Sequence, residues 1–134
     1  MSERDMGQEP GLEPALERIR EYFAAFLRGD SEAYAAQWVY PAGLFSGGRW
    51  RTLPNAAACR ESNERYTREA QEQGMIGGRI LELTARAEGP AAAWVDGRFS
   101  REGAAGRVIA ETRASYLVVR TDDGWRVAVC VVKD

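Results

Sequence analysis

The stretch YFAAFLRGD at residues 22–30 decides the fold of this chain, because one helix ends in it and the next begins. Apolar side chains recur at spacings of three and four residues from Leu16 to Leu27, with charged side chains on the opposite side. This spacing is typical of a helix with one buried face. Pro14 suits the first turn of that helix, and Gly29 is typical of the position just after a helix end. The sequence therefore predicts an amphipathic N-terminal helix that ends at Gly29.

Two more helices are predicted, separated by a segment rich in glycine and proline. Asp30 or Ser31 can cap a short helix that runs through Trp38. A longer helix begins near Asn55, or at the proline before it, and runs to about Gln73. The side chains expected on its inner face are mostly small, namely Ala58, Cys59, Ser62, Tyr66 and Ala70. Small side chains that face a sheet leave space, and such a space can form a pocket.

The remaining segments have the alternation and the turn residues of β-strands. Residues 39–45 and 49–53 can form a hairpin across Gly47 and Gly48. Four long strands follow the third helix, at residues 79–87, 91–101, 107–120 and 125–132. The predicted layout is α+β, with three helices laid on one face of a curved, mainly antiparallel sheet.

The chain has 134 residues, which is enough for one domain with a buried core. We expect a flexible tail at residues 1–11 and a single domain at residues 12–134. The net charge is −2, from 18 basic and 20 acidic side chains. This balance lacks the strongly basic surface that nucleic acids require, and it does not favour an anionic membrane. Because the polar N-terminus lacks the apolar segment of a signal peptide and no apolar run reaches ~18 residues, we expect a cytoplasmic protein.

Histidine is absent from the sequence, and this limits the possible chemistry more than any other feature. Its absence excludes the Ser/His/Asp and Cys/His catalytic arrangements, and it removes the most common metal ligand. The two cysteines, Cys59 and Cys130, have no CxxC spacing and no neighbouring cluster of ligands. We therefore expect two reduced, partly buried thiols, no metal site and no cofactor.

Several stretches resemble the SnoaL-like domains of the nuclear-transport-factor-2-like (ketosteroid-isomerase-like) superfamily. Residues 22–30 are similar to the YxxAxxxGD start of such domains, and the Gly47-Gly48 hairpin, AEGPAAAWV at 87–95 and DDGWRV at 122–127 are similar to other family members. The resemblance covers nearly the whole chain from Pro14 onward. It implies a cone-shaped half-barrel with a deep pocket between the helices and the concave face of the sheet, and frequent homodimers. It implies no single activity, because isomerases, cyclases, dehydratases, epoxide hydrolases and binding proteins share this fold.

Tyr22 is the residue for which the resemblance implies a role. The number of residues that separates Tyr22 from Gly29 and Asp30 is similar to the spacing of the oxyanion-binding tyrosine in ketosteroid isomerase. A buried phenol can donate a hydrogen bond to a carbonyl oxygen that becomes negative, and the alternative is that Tyr22 only packs in the core. The catalytic carboxylate of that isomerase has no counterpart, because no Asp or Glu occurs between Glu32 and Glu61. This departure argues against isomerase activity by the familiar route.

Trp94, Asp96 and Arg98 alternate along one predicted strand and therefore share a face of the sheet. If that face is concave, they give the pocket an aromatic wall, a carboxylate and a guanidinium, an arrangement similar to limonene-epoxide-hydrolase-like sites. Such sites need a second carboxylate, and the expected register turns Glu111 away from this face. The alternative is an exposed face on which Arg98 or Arg113 forms a cross-strand ion pair with Asp96 or Glu111.

Several of the aromatic side chains fall on faces that are expected to line a pocket. The predicted lining is Tyr22, Phe26, Trp38, Tyr66, Trp94 and Tyr116, with Asp96 as the acid within reach and Arg98 beside it. The first hypothesis is a domain that binds a small apolar ligand, aromatic or polyketide-like, with its activity left open. The second is an isomerase, cyclase or hydrolase with Tyr22 as oxyanion donor and Asp96 as base. The third is a non-catalytic module for dimerisation or for binding a partner protein.

The last predicted strand is apolar on both faces. Its alternating sets are Val127, Val129 and Val131 on one side, and Ala128, Cys130 and Val132 on the other. Such a pattern is typical of a strand that is buried on both sides. We therefore expect a homodimer formed through the convex face of the sheet.

Overall fold

The computed structural model describes residues 11–133, so the predicted N-terminal tail lies almost entirely outside the described residues. The three helices are α1 (Glu13–Arg28), α2 (Ser31–Ala36) and α3 (Ala56–Glu72). Gly29 ends α1 with a left-handed φ of 69°. The side chains of Asp30 and Asn55 cap the two following helices by accepting hydrogen bonds from backbone N–H groups. All three predicted helices are confirmed, although α2 ends before Trp38.

Six strands form one curved, open sheet. They are β1 (Trp38–Ser46), β2 (Arg49–Leu53), β3 (Gly77–Ala87), β4 (Ala92–Glu102), β5 (Val108–Thr121) and β6 (Gly124–Lys133). Their order across the sheet is β2-β1-β6-β5-β4-β3, with β1 and β6 parallel and the other pairs antiparallel. Three helices packed on a mostly antiparallel sheet confirm the predicted α+β fold.

The core lies between the helices and one face of the sheet, which we call the inner face. Helix α1 contributes Ile19 and Phe23, and the inner face contributes Val95, Val118 and Val127, all of them buried. Full burial of such a side chain stabilises the fold by about 1.5–3 kcal/mol. The apolar residues spaced along α1 and the alternating apolar residues of β4, β5 and β6 therefore pack into the same core.

The register between β4 and β5 differs from the expected one. Val95 lies opposite Tyr116, while Asp96 lies opposite Ser115 and Arg98 opposite Arg113. Because residues directly opposite each other share a face, Tyr116 belongs to the inner face, and Asp96 and Arg98 belong to the other, outer face. The expectation that one face carries both Tyr116 and Asp96 is wrong. Side chains alternate with a period of two, so a slip of one residue moves the whole set across the sheet.

Candidate functional site

A cavity lies between the helices and the inner face of the sheet, and it consists of two adjoining chambers. The inner chamber has a volume of about 60 Å³ and the outer chamber about 440 Å³. Six side chains line both chambers: Tyr22, Tyr34, Tyr66, Arg101, Cys130 and Val132. These shared walls make the two chambers parts of one site.

The inner chamber is mainly apolar and aromatic. Beyond the shared walls, it is lined by Phe23, Phe26, Phe99, Thr112, Ala114 and Tyr116. Among residues 11–133, no carboxylate belongs to its lining. A dry cavity that binds benzene has a volume of about 150 Å³, so this chamber accepts a short apolar group more readily than a whole aromatic ring.

Three tyrosine hydroxyls meet at the wall of the inner chamber. The hydroxyl of Tyr34 donates to Tyr22 Oη over 3.2 Å, and that of Tyr116 donates to the same oxygen over 3.5 Å. The ring centroids of Tyr34 and Tyr116 lie 4.9 and 5.1 Å from that of Tyr22. Burial raises the pKa of all three phenols well above the usual value, so they are neutral hydrogen-bond donors. We call these residues the tyrosine cluster.

Cys130 adjoins the tyrosine cluster on strand β6. Burial raises the pKa of its thiol to about 12, although hydrogen bonds from the hydroxyls of Tyr116 and Tyr22 act in the opposite direction. Burial also raises the pKa of the Cys59 thiol on α3. A nucleophilic cysteine needs thiolate character at working pH, and neither residue has it. Both cysteines are free and buried, more deeply than the sequence suggested.

The outer chamber has a polar lining. The side chains that line the outer chamber and not the inner one are Leu44, Ser46, Arg51, Ser62, Asn63, Arg65 and Glu69. Together with the shared Arg101, this lining has three guanidinium groups and one carboxylate. The guanidinium of Arg101 lies 4.7 Å from the centroid of the Tyr66 ring and donates to Thr112 Oγ1 over 3.3 Å. The chamber is therefore rich in donors and locally positive.

Asn63 is the buried amide of the outer chamber. It lies on α3 with 4% of its surface exposed, and its Oδ1 has no hydrogen-bond partner among residues 11–133. Thr67, one turn further along, is 8% exposed and its Oγ1 also lacks a described partner. Sequence reasoning missed Asn63, and it missed Arg51 and Arg65 as lining residues. The available signal was spacing, because Asn63 and Thr67 follow the buried Cys59 at intervals of four residues.

The structure brings together four of the side chains that the sequence predicted for the pocket, namely Tyr22, Phe26, Tyr66 and Tyr116. Trp38 lies behind them rather than in the lining. Its ring centroid is 6.1 Å from that of Tyr22, and it is 5% exposed. The helical stripe of α1 was sufficient to place Tyr22 and Phe26.

Trp94, Asp96 and Arg98 lie on the outer face, so their expected place in the pocket is wrong. Asp96 accepts a hydrogen bond from Ser115 and lies 3.7 Å from the charged nitrogens of Arg86 and Lys133. These partners surround it on the side of the sheet opposite the tyrosine cluster. Asp96 therefore cannot act as a base on a ligand that contacts Tyr22 in this cavity.

Arg98 forms the cross-strand ion pair that the sequence offered as the alternative. Its Nη1 lies 2.7 Å from Glu111 Oε1, and its Nε lies 3.7 Å from Glu82 Oε1. Glu111 faces Ser100 across the β4–β5 pair, which places it on the outer face with Arg98. Exposed pairs of this kind are screened by water and contribute little to stability, so this group is a solvated surface network.

Two features are absent from the described part of the chain. Within residues 11–133, no group of three or more Cys, Asp or Glu side chains is placed to hold a metal ion. Among the same residues, no helix has the length and apolar character needed to cross a membrane.

Comparison with solved structures shows the same fold in proteins of low sequence identity. An NTF2-like protein with a cystatin-like fold from Novosphingobium aromaticivorans superposes with a TM-score of 0.72 at 22% identity, covering 90% of this chain and 79% of that one. An NTF2-like protein of unknown function from Shewanella oneidensis has a TM-score of 0.67 at 20% identity, covering 91% and 98%. A candidate ketosteroid isomerase from Shewanella frigidimarina has a TM-score of 0.71 at 11% identity, covering 90% and 94%.

No curated protein sequence matches this chain. A family model does, over residues 13–134, which is nearly all of the described domain. The matched region includes all three helices, all six strands and both chambers. The chain therefore belongs to the family described as NTF2-like protein (DUF6841).

Proposed function

We propose that this chain binds a small organic ligand in its two-chamber cavity and does so without acid–base catalysis. One observation carries the proposal: a small aromatic chamber with neutral hydroxyls adjoins a larger polar chamber. Ligand pockets in proteins typically measure about 300–1,000 Å³ and combine apolar walls with a few placed polar groups. The outer chamber, at about 440 Å³, lies in that range.

The tyrosine cluster supplies a hydrogen bond to the ligand. Tyr34 and Tyr116 both donate to Tyr22 Oη, so the single proton of the Tyr22 hydroxyl can be donated to a ligand oxygen in place of the Cys130 sulfur. Tyr22 lines both chambers, and a carbonyl or ether oxygen of a ligand is a suitable partner. In a low-dielectric site, such a bond fixes the orientation of the ligand more strongly than it would in water.

The volumes determine how the ligand is oriented. A short apolar group fits the inner chamber of about 60 Å³, and the larger part of the ligand lies in the outer chamber. A flat aromatic or polyketide-like body would therefore lie beside Tyr66 and Val132, not between Phe23 and Phe99. The proposed ligand is therefore narrower at one end than the sequence suggested, and that end is apolar.

An enzyme with Tyr22 as oxyanion donor is the second candidate, and the geometry of the tyrosine cluster is the feature that favours it. Its base is the weak point, because Asp96 lies on the outer face and Glu69, the one carboxylate among the described lining residues, lines the outer chamber and not the inner one. Abstraction of a proton from carbon requires a base within hydrogen-bond reach of the ligand. Binding without turnover is therefore the better supported function.

The outer face of the sheet supports the homodimer that the sequence suggested. Phe45 lies beside Trp50 on one neighbouring strand and beside Val131 on the other, so the three share this face. Trp50 is 58% exposed and Phe45 is 37% exposed. Exposed aromatic groups on a sheet face are typical of protein–protein interfaces. We propose that a second copy of this chain covers them.

The proposed binding can be tested with a matched pair of probes, acetophenone and ethylbenzene, which differ by a carbonyl oxygen. We expect both to shift the NMR signals of cavity residues, with acetophenone bound more tightly. Tyr22→Phe should remove that preference, whereas Asp96→Asn, on the outer face, should leave it unchanged. If neither probe shifts the signals of any residue in the two chambers, the proposal is wrong.

A further inference from the structure

The outer chamber has a feature that a purely apolar ligand would not use. Its lining carries three arginines and one glutamate, a local charge of +2 (three minus one), in a chain whose net charge is −2. A concave site of one sign attracts ligands of the opposite sign. The positive charge of this chamber therefore favours an anionic ligand.

Arg51 and Arg65 are the available guanidinium groups. Neither is within ion-pair distance of an acidic side chain in the described part of the chain, whereas Arg79, Arg86 and Arg98 all have such partners. Arg51 is half-buried on β2 and Arg65 is exposed on α3, so they approach the chamber from two different elements. Two guanidinium groups on separate walls can hold one carboxylate between them.

Asn63 is a second and independent observation. Its side chain lines the outer chamber, is nearly fully buried, and has an amide oxygen without a partner among the described residues. A buried amide oxygen without a hydrogen bond is unfavourable, and no hydrogen bond among residues 11–133 fixes the amide in this orientation. Rotation of the amide by half a turn presents its N–H₂ group, which donates to an oxygen anion.

From these observations we infer that the ligand is an amphipathic carboxylic acid, a deepening of the proposed function on which it rests. The carboxylate lies in the outer chamber between Arg51 and Arg65, with Asn63 as a further donor. The narrow apolar end of the molecule enters the inner chamber, next to the tyrosine cluster.

A carboxylate fits this site better than a phosphate. Phosphate sites commonly use backbone N–H groups at the N-terminus of a helix. Helix α3 begins at Ala56, and its residues in the lining of the outer chamber start at Ser62, nearly two turns later. The donors here are side chains, and planar guanidinium groups match the two oxygens of a carboxylate.

The test uses hexanoate and hexanamide, which have the same shape and differ in charge, together with hexyl phosphate. Binding is measured by NMR titration of the full chain at low salt. We expect hexanoate to bind roughly tenfold more tightly than hexanamide, as a charged hydrogen-bonded pair exceeds a neutral one by about that factor. The preference should weaken as salt is added.

The double variant Arg51→Gln/Arg65→Gln should bind both compounds with the same affinity as the parent binds hexanamide. The matched control is Arg49→Gln/Arg68→Gln, which removes the same charge from β2 and α3 at exposed positions outside the chamber lining. The control should keep the preference for hexanoate, and thermal unfolding of both variants verifies that they are folded.

Four outcomes would count against these ideas in distinguishable ways. If neither hexanoate nor hexanamide binds the parent chain, the proposed function itself fails. If both bind equally, the domain binds ligands but the inference of an acid is wrong. Tighter binding of hexyl phosphate than of hexanoate would replace the carboxylate by a phosphate. A preference that survives in Arg51→Gln/Arg65→Gln would show that these arginines do not create it.

Discussion

Asn63→Leu should stabilise the fold and weaken ligand binding in the same molecule. Asn63 is 4% exposed, and its Oδ1 has no hydrogen-bond partner within residues 11–133. Leucine has the same number and branching of side-chain heavy atoms, so it fills the same space without a polar group. The structure therefore predicts that the amide is retained for its ligand and not for stability.

The magnitude follows from the cost of burying an unpaired polar group, which is about 1–3 kcal/mol. Replacing the amide removes that cost and adds a buried apolar side chain, so the free energy of unfolding should rise by about 1–2 kcal/mol. For a domain of this size, the melting temperature should rise by roughly 3–8 °C. Binding of hexanoate should weaken by about tenfold, because one donor to its carboxylate is lost.

Thr67→Val is the matched control. It also replaces a buried polar group that lacks a described partner by an apolar group of the same shape, but Thr67 lines neither chamber. It should therefore stabilise the fold without changing hexanoate binding. Chemical denaturation measures the stability and NMR titration the affinity. A loss of 1 kcal/mol or more in Asn63→Leu, or unchanged binding, would refute the reasoning.

Three further predictions concern the tyrosine cluster, the buried thiol and the outer face. Tyr22→Phe leaves the buried hydroxyl donors of Tyr34 and Tyr116 without their acceptor, so the free energy of unfolding measured in urea should fall by about 1–2 kcal/mol. An unchanged free energy of unfolding would mean that the tyrosine cluster is not formed. The Cys130 thiol keeps its proton in the folded state up to a pKa of about 12, whereas the unfolded state releases it near pH 9, so its contribution to stability is complete below pH 9 and declines above it. Cys130→Ala should therefore reduce the fall in stability between pH 9 and 10 by about 1 kcal/mol, and an unchanged fall would place the thiol in water. Val131→Arg puts a charge beside Phe45 on the outer face, so light scattering should show a monomer in place of a dimer. If the parent chain is already monomeric at high micromolar concentration, the proposal of a homodimer is wrong.

The elements of this fold could be predicted from the sequence because their signals are local. Gly29 ends α1, and the side chains of Asp30 and Asn55 cap the two helices that follow. Each of these residues acts within about one turn of its own position. The four predicted residues that line the inner chamber follow from the apolar stripes of α1 and α3 and from the alternation of β5.

The register between β4 and β5 could not be predicted, because it depends on what covers each face. Strand β4 has one alternating set with Ala93, Val95 and Phe99, and another that starts with the large aromatic Trp94. Both sets contain apolar groups, so the alternation alone did not show which side the helices cover. The more uniformly apolar set is the buried one, as packing against α1 requires. The prediction was misled by Trp94, whose large aromatic side chain suggested a pocket wall.

The chemistry of the cavity follows from an imbalance between donors and acceptors. Its side chains offer the neutral phenols of the tyrosine cluster and three guanidinium groups, against the single carboxylate of Glu69. Phenols and a thiol whose pKa values are raised by burial hold their protons at neutral pH, so they can donate to a ligand oxygen but cannot take a proton from carbon. Under the proposed function, this excess of donors favours a ligand rich in acceptors, such as a carbonyl or a carboxylate. Asn63 adds to this excess, because a half-turn of its buried amide presents two more N–H donors to an acceptor that comes from the ligand.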